Sequence, residues 1–128
     1  MSALSDYAEN KLLDHLLAKT SFTMPSNVYL ALYTATPSDA GGGTEVSGGT
    51  YARQLLVFNS ASGGASNPTA DVVFPIASAN WGTISHLGIF DASTAGNLLI
   101  WGALTVSKTI NTGDQLVIPA ADLDLALQ

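Results

Sequence analysis

From about residue 28 onward, the chain consists of short segments in which apolar and polar residues alternate. Successive side chains of a β-strand point to opposite sides of the sheet, so alternation indicates a strand with one buried face. Turn-forming Gly, Asn, Ser and Pro residues lie between the segments, as expected for antiparallel strands joined by reversals. The predicted strands are 28–34, 51–58, 70–74, 81–90, 97–104, 106–110, 115–118 and 123–127.

The N-terminal segment has a different period. Its apolar residues recur at spacings of three and four, which places them on one stripe of an α-helix. They are Leu4, Tyr7, Ala8, Leu12 and Leu16, with Leu13 and Leu17 beside them. Asp6 and Glu9 form a capping-box pattern, and Ser2 is an alternative cap one turn earlier. We expect the stripe to cover the chain's own core, and the alternative is that it docks on a neighbouring subunit.

These patterns predict a mainly β protein. The expected fold is an antiparallel β-sandwich of about seven or eight strands, preceded by one N-terminal amphipathic α-helix. A length of 128 residues fits a single domain, 1–128. Within it we expect the helix at about 4–19, a glycine-rich arm at 40–50 and the sandwich at 27–128.

Charge and composition exclude several kinds of partner. The 4 basic and 10 acidic residues give a net charge of -6, which opposes binding to nucleic acid. No apolar stretch reaches the about 20 residues of a membrane span, and the first residues lack the pattern of a secretory signal. We therefore expect neither membrane contact nor a cleaved leader. Only 11% of the residues are charged, which favours a surface that contacts protein, with a well-packed monomer as the alternative.

Residues suited to catalysis are sparse. The two histidines, His15 on the helix and His86 in a predicted strand, accompany no nucleophile motif. Most acidic residues fall at predicted turns, where Asp binds local backbone groups. Asp122 and Asp124 share a strand face, but two carboxylates fall short of the about six to eight oxygens that calcium prefers. We therefore expect no enzyme activity, no cofactor and no metal site.

A glycine-rich arm spans residues 40–50. It lacks the Gly-Lys-Ser/Thr ending of a phosphate-binding loop, and it leads into a strand rather than a helix. A backbone so poor in side chains can extend over a neighbour and settle there, with Glu45 and Val46 as its anchors. A disordered tip is the alternative interpretation.

Arg53 is the sole arginine, and its predicted strand places it on the same face as Tyr51. We expect it to form a structural ion pair with Glu45 or Asp91. With the arm and the helix stripe, these positions make up the predicted protein interface. Its residues are Gly41, Gly42, Gly43, Glu45, Val46, Tyr51, Arg53, Tyr7 and Leu12.

Four sequence segments, taken together, indicate a family. They are 29–34 (YLALYT), 43–54 (GTEVSGGTYARQ), 81–91 (WGTISHLGIFD) and 96–99 (GNLL). In order and spacing they resemble a family of small virion proteins of tailed bacteriophages, described as tail fibre or structural proteins. The resemblance runs from the helix start at Ser5 to the final strand, so it covers nearly the whole chain. It brings no catalytic residues with it.

The resemblance implies a structural component of a phage virion that contacts other virion proteins and copies of itself. A tail-fibre or tail-associated position is expected, with capsid decoration as the alternative. The particle would assemble in the bacterial host cytoplasm, and a homotrimer is an economical arrangement for a repeated subunit. A carbohydrate- or host-receptor-binding module is a further alternative, in which an aromatic side chain stacks on a host glycan. The candidate stacking residues are Tyr33, Tyr51, Trp81 and Trp101.

Overall fold

The computed structural model describes residues 3–127. Its fold is built around three long strands, β2 (Val28–Ala35), β7 (Gly82–Phe90) and β8 (Leu98–Ile110). In chain order the elements are β1 (Ala3–Leu4), α1 (Asp6–Leu16), β2 (Val28–Ala35), β3 (Thr44–Glu45), β4 (Gln54–Leu56), β5 (Ala65–Ser66), β6 (Val72–Val73), β7 (Gly82–Phe90), β8 (Leu98–Ile110), β9 (Val117–Ile118), a 3-10 turn (Ala120–Asp122) and β10 (Leu125–Ala126). The paired strands run antiparallel, so the predicted mainly β, antiparallel fold with one N-terminal helix is confirmed.

The long strands β2, β7 and β8 form the centre of a six-stranded sheet. Its order is β1-β8-β7-β2-β3, and β4 also pairs with β2. Tyr33 of β2 lies opposite His86 of β7, which places Tyr33 on the sheet face that also carries Trp101 of β8. In β8 the four residues 104–107 bulge out opposite Ser85. The bulge explains why the sequence reads as two strands, 97–104 and 106–110, where the structure has one.

The main core lies between this sheet and a second layer made of the short strands. The sheet contributes Leu30, Leu32, Ile84, Leu87 and Ile89, and the second layer contributes Val72, Phe74, Ala77, Leu116, Ile118 and Leu123. Two aromatic neighbours, Tyr51 and Trp81, pack around Phe74 at centroid distances of 6.3 and 6.4 Å. Burying each large apolar side chain stabilises the fold by about 1.5–3 kcal/mol, so this interlayer core is the principal source of stability.

The number of strands is larger than predicted. Residues 3–127 contain ten strands, because β1, β3 and β5 are two-residue strands that alternation cannot reveal in a sequence. Several predicted strands are also shorter: 51–58 becomes Gln54–Leu56, and 123–127 becomes Leu125–Ala126 after a 3-10 turn. Residues that were predicted as strand but are not part of one form backbone hydrogen bonds with loops instead. For example, the Thr69 amide donates to the Val57 carbonyl.

The first half of α1 is attached to β8 through Ser5. The Ser5 amide donates to the Leu99 carbonyl, and its hydroxyl donates to the Leu98 carbonyl. The same hydroxyl accepts the Ala8 amide, so Ser5 is the N-cap of the helix. The predicted Asp6–Glu9 capping box is therefore wrong, and the alternative cap, Ser2, lies outside the described residues.

The helix is shorter than the predicted 4–19. Leu4 belongs to β1, and the helix ends at Leu16. Ala18 has a φ of 61°, a left-handed conformation that stops the helix, and the Lys19 and Thr20 amides then donate to the Asp14 carbonyl. As a result, only Ala8 is fully buried on the helix, and the predicted stripe covers the chain's own core in its first half alone.

Candidate assembly interface

Arg53 and Glu45 form a bidentate ion pair. Arg53 Nη2 lies 2.8 Å from Glu45 Oε1, and Arg53 Nε lies 2.9 Å from Glu45 Oε2. The predicted ion pair with Glu45 is thus confirmed. The other predicted acid, Asp91, instead accepts hydrogen bonds from the amide and side chain of Asn97.

The guanidinium of Arg53 also binds groups from a third segment. Its centre lies 3.6 Å from the ring centroid of Phe90, within the distance of a cation–π interaction. Its Nη1 donates to the carbonyls of Ala92 and Ala95, at 3.0 and 2.8 Å. With its side chain only 8% exposed, Arg53 fastens β3, the approach to β4 and the loop after β7 to one another. We call Glu45, Tyr51 and Arg53 the arginine clamp.

Tyr51 completes the arginine clamp. Its hydroxyl donates to Glu45 Oε2 at 2.6 Å and accepts the Leu32 amide at 3.1 Å. Burial and the contact with Glu45 raise the pKa of the Tyr51 hydroxyl, which therefore stays protonated. Burial also acts to raise the pKa of Glu45, but hydrogen bonds from Arg53 and Tyr51 outweigh it and leave the pKa below its ordinary value. The clamp is an internal, ionised and fully paired network.

The glycine-rich arm is folded against its own sheet. Val46 is buried in the main core, and its amide donates to the Leu32 carbonyl at 3.0 Å. Further along, the Gly49 carbonyl accepts the indole N–H of Trp81 at 2.8 Å. Glu45 and Val46 were expected to anchor the arm on a neighbour, whereas here they hold it to this chain's own sheet. A role of the arm toward a neighbouring subunit stays a prediction.

The remaining predicted positions lie at two separate places on the surface. Tyr7, Gly41 and Gly42 line a cleft of about 460 Å³, where the Asp6 amide donates to the Asp39 carbonyl at 2.8 Å. Gly43 lies in the adjoining turn, which leads into β3. It has a φ of 72°, and a Cβ there would lie 2.8 Å from the Ala35 carbonyl oxygen, so the turn requires glycine.

Leu12 lines a different feature, an apolar groove of about 240 Å³. Beyond it on the helix, Leu13, Leu16 and Leu17 are exposed, and sequence analysis did not single them out as interface residues. The spacing of the apolar residues on the helix could have indicated that these leucines are exposed. At about 100° per residue, Leu12, Leu16, Leu13 and Leu17 span roughly 140° of the helix circumference, and the stripe continues on its other side to Ala8 and Tyr7. So wide an apolar arc cannot be covered by one packing surface.

The aromatic residues considered for sugar stacking are mostly used internally. Tyr33 and Trp81 are buried, and Trp81 belongs to the main core. The Tyr51 hydroxyl is part of the arginine clamp. Trp101 is half-buried, and its indole N–H donates to Asp39 Oδ1 at 2.9 Å.

Both histidines bind neighbouring groups of the chain. His15 Nδ1 accepts the Phe22 amide at 3.1 Å, which turns the chain back after the helix. His86 Nδ1 lies 2.8 Å from the Ser85 hydroxyl, and its ring lies beside Trp101. Within residues 3–127, no three His, Cys, Asp or Glu side chains come close enough together to hold a metal ion. The same stretch contains no helix with the length and hydropathy to cross a bilayer.

The fold and its polar network define a class: a small, mainly β protein in which the main charged cluster binds the chain's own segments together. Within that class, the chain belongs to the family described as podophage GP4 fiber I protein gp80, whose model matches residues 3–126. This is a family of phage fibre structural proteins, and the chain is accordingly a virion component. The resemblance to phage tail fibre proteins seen in the sequence is confirmed. No curated protein matches the chain.

Proposed function

We propose that the chain is a tail-fibre or tail-associated module of a tailed phage, assembled in the cytoplasm of its bacterial host. In this proposal it acts through contacts with other virion proteins and with copies of itself. The observation that carries the proposal is the family match over residues 3–126, which includes the helix, the six-stranded sheet and the second layer.

The physical character of the molecule supports a role in assembly. The arginine clamp and the buried Val46 preorganise the arm, so a partner would meet a fixed surface and little conformational entropy would be lost on binding. Only 11% of the residues are charged, so few strongly hydrated side chains have to be desolvated at a contact. Large apolar side chains remain at the surface, Leu16 and Met24 among them.

Electron microscopy of antibody-labelled particles tests the proposed position. Purified phage is incubated with a gold-labelled antibody against this chain, and the control antibody is preabsorbed with the purified protein. We expect gold at the tail and its fibres. Gold distributed over the head would instead support capsid decoration and overturn the tail position, and particles without label under conditions that detect the free chain would overturn a virion role.

A further inference from the structure

The cleft of about 460 Å³ at the start of α1 carries two carboxylates and no cation. It lies between α1, the β2–β3 connection and the loop after β7, and Asp6 and Asp39 contribute exposed side chains to its lining. No lysine, arginine or histidine belongs to that lining. The Asp6 amide donates to the Asp39 carbonyl, so a backbone hydrogen bond holds the two acidic residues next to each other. We call this feature the acidic cleft.

The carboxylates of the acidic cleft are not neutralised by the chain. Within residues 3–127, the ion pair is the one between Arg53 and Glu45. Lys11 lies 5.7 Å from the ring centroid of Tyr7 and outside the cleft lining. Asp39 Oδ1 accepts the indole N–H of Trp101, whereas Asp39 Oδ2 and the Asp6 carboxylate make no hydrogen bond within the described part of the chain. Like charges held side by side without a counter-charge favour a cationic ligand.

The hydroxyl of Tyr33 is an independent indication of a ligand. Tyr33 is only 4% exposed, and its hydroxyl makes no hydrogen bond within residues 3–127. In the same stretch, every side-chain N or O atom that is shut off from solvent has a hydrogen-bond partner. The Tyr33 hydroxyl must therefore reach open space, and the acidic cleft is the space that Tyr33 lines. Buried polar groups in proteins are normally hydrogen-bonded, so a hydroxyl in this position is suited to a ligand.

Apolar surface accompanies these polar groups. Tyr7, Phe90 and Leu98 also line the acidic cleft. The guanidinium of Arg53 lies over the Phe90 ring, but its charge is balanced by Glu45 in the arginine clamp. A lysine side chain lays its four-carbon stem along apolar surface while its ammonium reaches a polar group, so this lining suits both of its parts.

The number of acceptors favours an ammonium group over other donors. The Asp6 carboxylate, Asp39 Oδ2 and the Tyr33 hydroxyl can each accept a hydrogen bond, and a lysine ammonium has three donors and no acceptor. Two carboxylates fall short of the about six to eight oxygens that calcium prefers. A neutral polyol would leave both negative charges unbalanced. A guanidinium binds best to a carboxylate with both oxygens free, and Asp39 has one in use.

We propose that the acidic cleft binds the ammonium group of a lysine side chain on another virion protein, with Asp6, Asp39 and Tyr33 as the accepting groups. The inference rests on the proposed function, because it names the chemistry that would hold a neighbouring protein of the particle. Charge-assisted hydrogen bonds are the strong ones, and the net charge of -6 attracts a cation toward this chain.

An NMR titration of the isotope-labelled full chain tests the ligand chemistry. The probe is Nα-acetyl-lysine N-methylamide, and its control is the norleucine analogue, which has the same stem without the ammonium. We expect saturable shifts of the amides of residues 6, 39–42 and 96–98, and at least about tenfold weaker binding of the norleucine analogue. Added salt should weaken lysine binding. Equal binding of both probes, shifts elsewhere on the chain, or no shift at all would overturn the inference.

Two substitutions test the accepting groups. Tyr33→Phe removes a hydroxyl that holds no other described residue, so it should weaken lysine binding about three- to tenfold and leave the stability of the fold unchanged. Tyr29→Phe is the matched control, because Tyr29 lies on the same strand and face but outside the cleft.

Asp39→Asn keeps an acceptor for Trp101 and should weaken lysine binding about tenfold. Its control is Asp124→Asn, at an exposed position with the same change in net charge. Lysine binding that survives both Tyr33→Phe and Asp39→Asn unchanged would overturn the inference.

Carbodiimide cross-linking of purified particles separates this inference from the proposed function, because the reagent joins a carboxylate to an amine in direct contact. Asp6 and Asp39 lie in the tryptic peptides 1–11 and 20–53. We expect one of these peptides to be joined to a lysine of another virion protein. Particles that contain the chain without such a link would overturn the inference and leave the proposed function standing. A chain that binds the lysine probe but is absent from particles would overturn the proposed function alone.

Discussion

At the scale of single residues, the Arg53 side chain makes four hydrogen bonds, two to Glu45 and one each to the Ala92 and Ala95 carbonyls. The sequence predicted its ion pair, because a sole arginine with an acid eight residues earlier has few alternatives. The stacking on Phe90 and the bonds to the Ala92 and Ala95 carbonyls were not predictable, because they depend on how β7 is placed beside β2. The sequence therefore identified Arg53 and its acidic partner, but the other groups around the guanidinium depend on the tertiary structure.

The pH dependence of stability tests the arginine clamp. The pKa of Glu45 is lower in the folded chain than its ordinary value, so its contribution to stability is complete at neutral pH and is lost as the pH falls through the folded pKa. We expect Glu45→Gln to cost about 1–3 kcal/mol at pH 7, because it leaves Arg53 without its charged partner. The cost should shrink as the pH is lowered from 7 to 3.

Urea unfolding of both proteins at several pH values measures this difference. Glu9→Gln is the control, because Glu9 is exposed on the first turns of α1 and the substitution is the same. A cost of Glu45→Gln that does not change with pH would contradict an ionised Glu45 in the clamp.

At the scale of elements, the connection between β2 and β3 shows how a short sequence fixes a turn. Ser38 and Gly41 exchange backbone hydrogen bonds of 2.8 Å, and three successive glycines with positive φ then lead into β3. The alternation in 28–34 predicted β2, but β3 has two residues and was read as part of the arm. Pairing of Glu45 with Tyr33 makes it a strand, and only the neighbouring strand reveals that.

Two adjacent glycines in this connection provide a matched pair of substitutions. Gly42 and Gly43 have φ values of 77° and 72°, but an added Cβ meets nothing within 4 Å at Gly42 and meets Ala35 and Pro37 backbone at 2.8 Å at Gly43. We expect Gly42→Ala to cost about 1–2 kcal/mol, the price of a left-handed alanine. Gly43→Ala should cost about 2–4 kcal/mol, because a backbone clash is added. Equal losses in the free energy of unfolding, measured in urea, would contradict the turn geometry.

At the scale of the whole molecule, the sequence predicted which types of secondary structure the chain forms better than it predicted how they pair and pack. The alternation of apolar and polar residues predicted the strands, and the spacing of three and four residues near the N-terminus predicted the one helix. The second layer was not predictable in detail, because its strands are two residues long and are held by loops, as at Phe74, whose amide donates to the Leu116 carbonyl. Leu13, Leu16 and Leu17 are exposed, although we expected the helix stripe to cover the core and gave docking on a neighbour as the alternative, because apolar residues on a helix ordinarily belong to the core.

The copy number of the chain in purified particles tests the central claim, that it is a fibre component of the virion. Trypsin cleavage after Lys11 and Lys19 releases the peptide Leu12–Lys19, which can be counted against an isotope-labelled standard alongside peptides of the major capsid protein and of known tail proteins. We expect a fixed copy number matched to the tail proteins. A copy number matched to the major capsid protein, or no peptide above the level of host contaminants, would contradict the account.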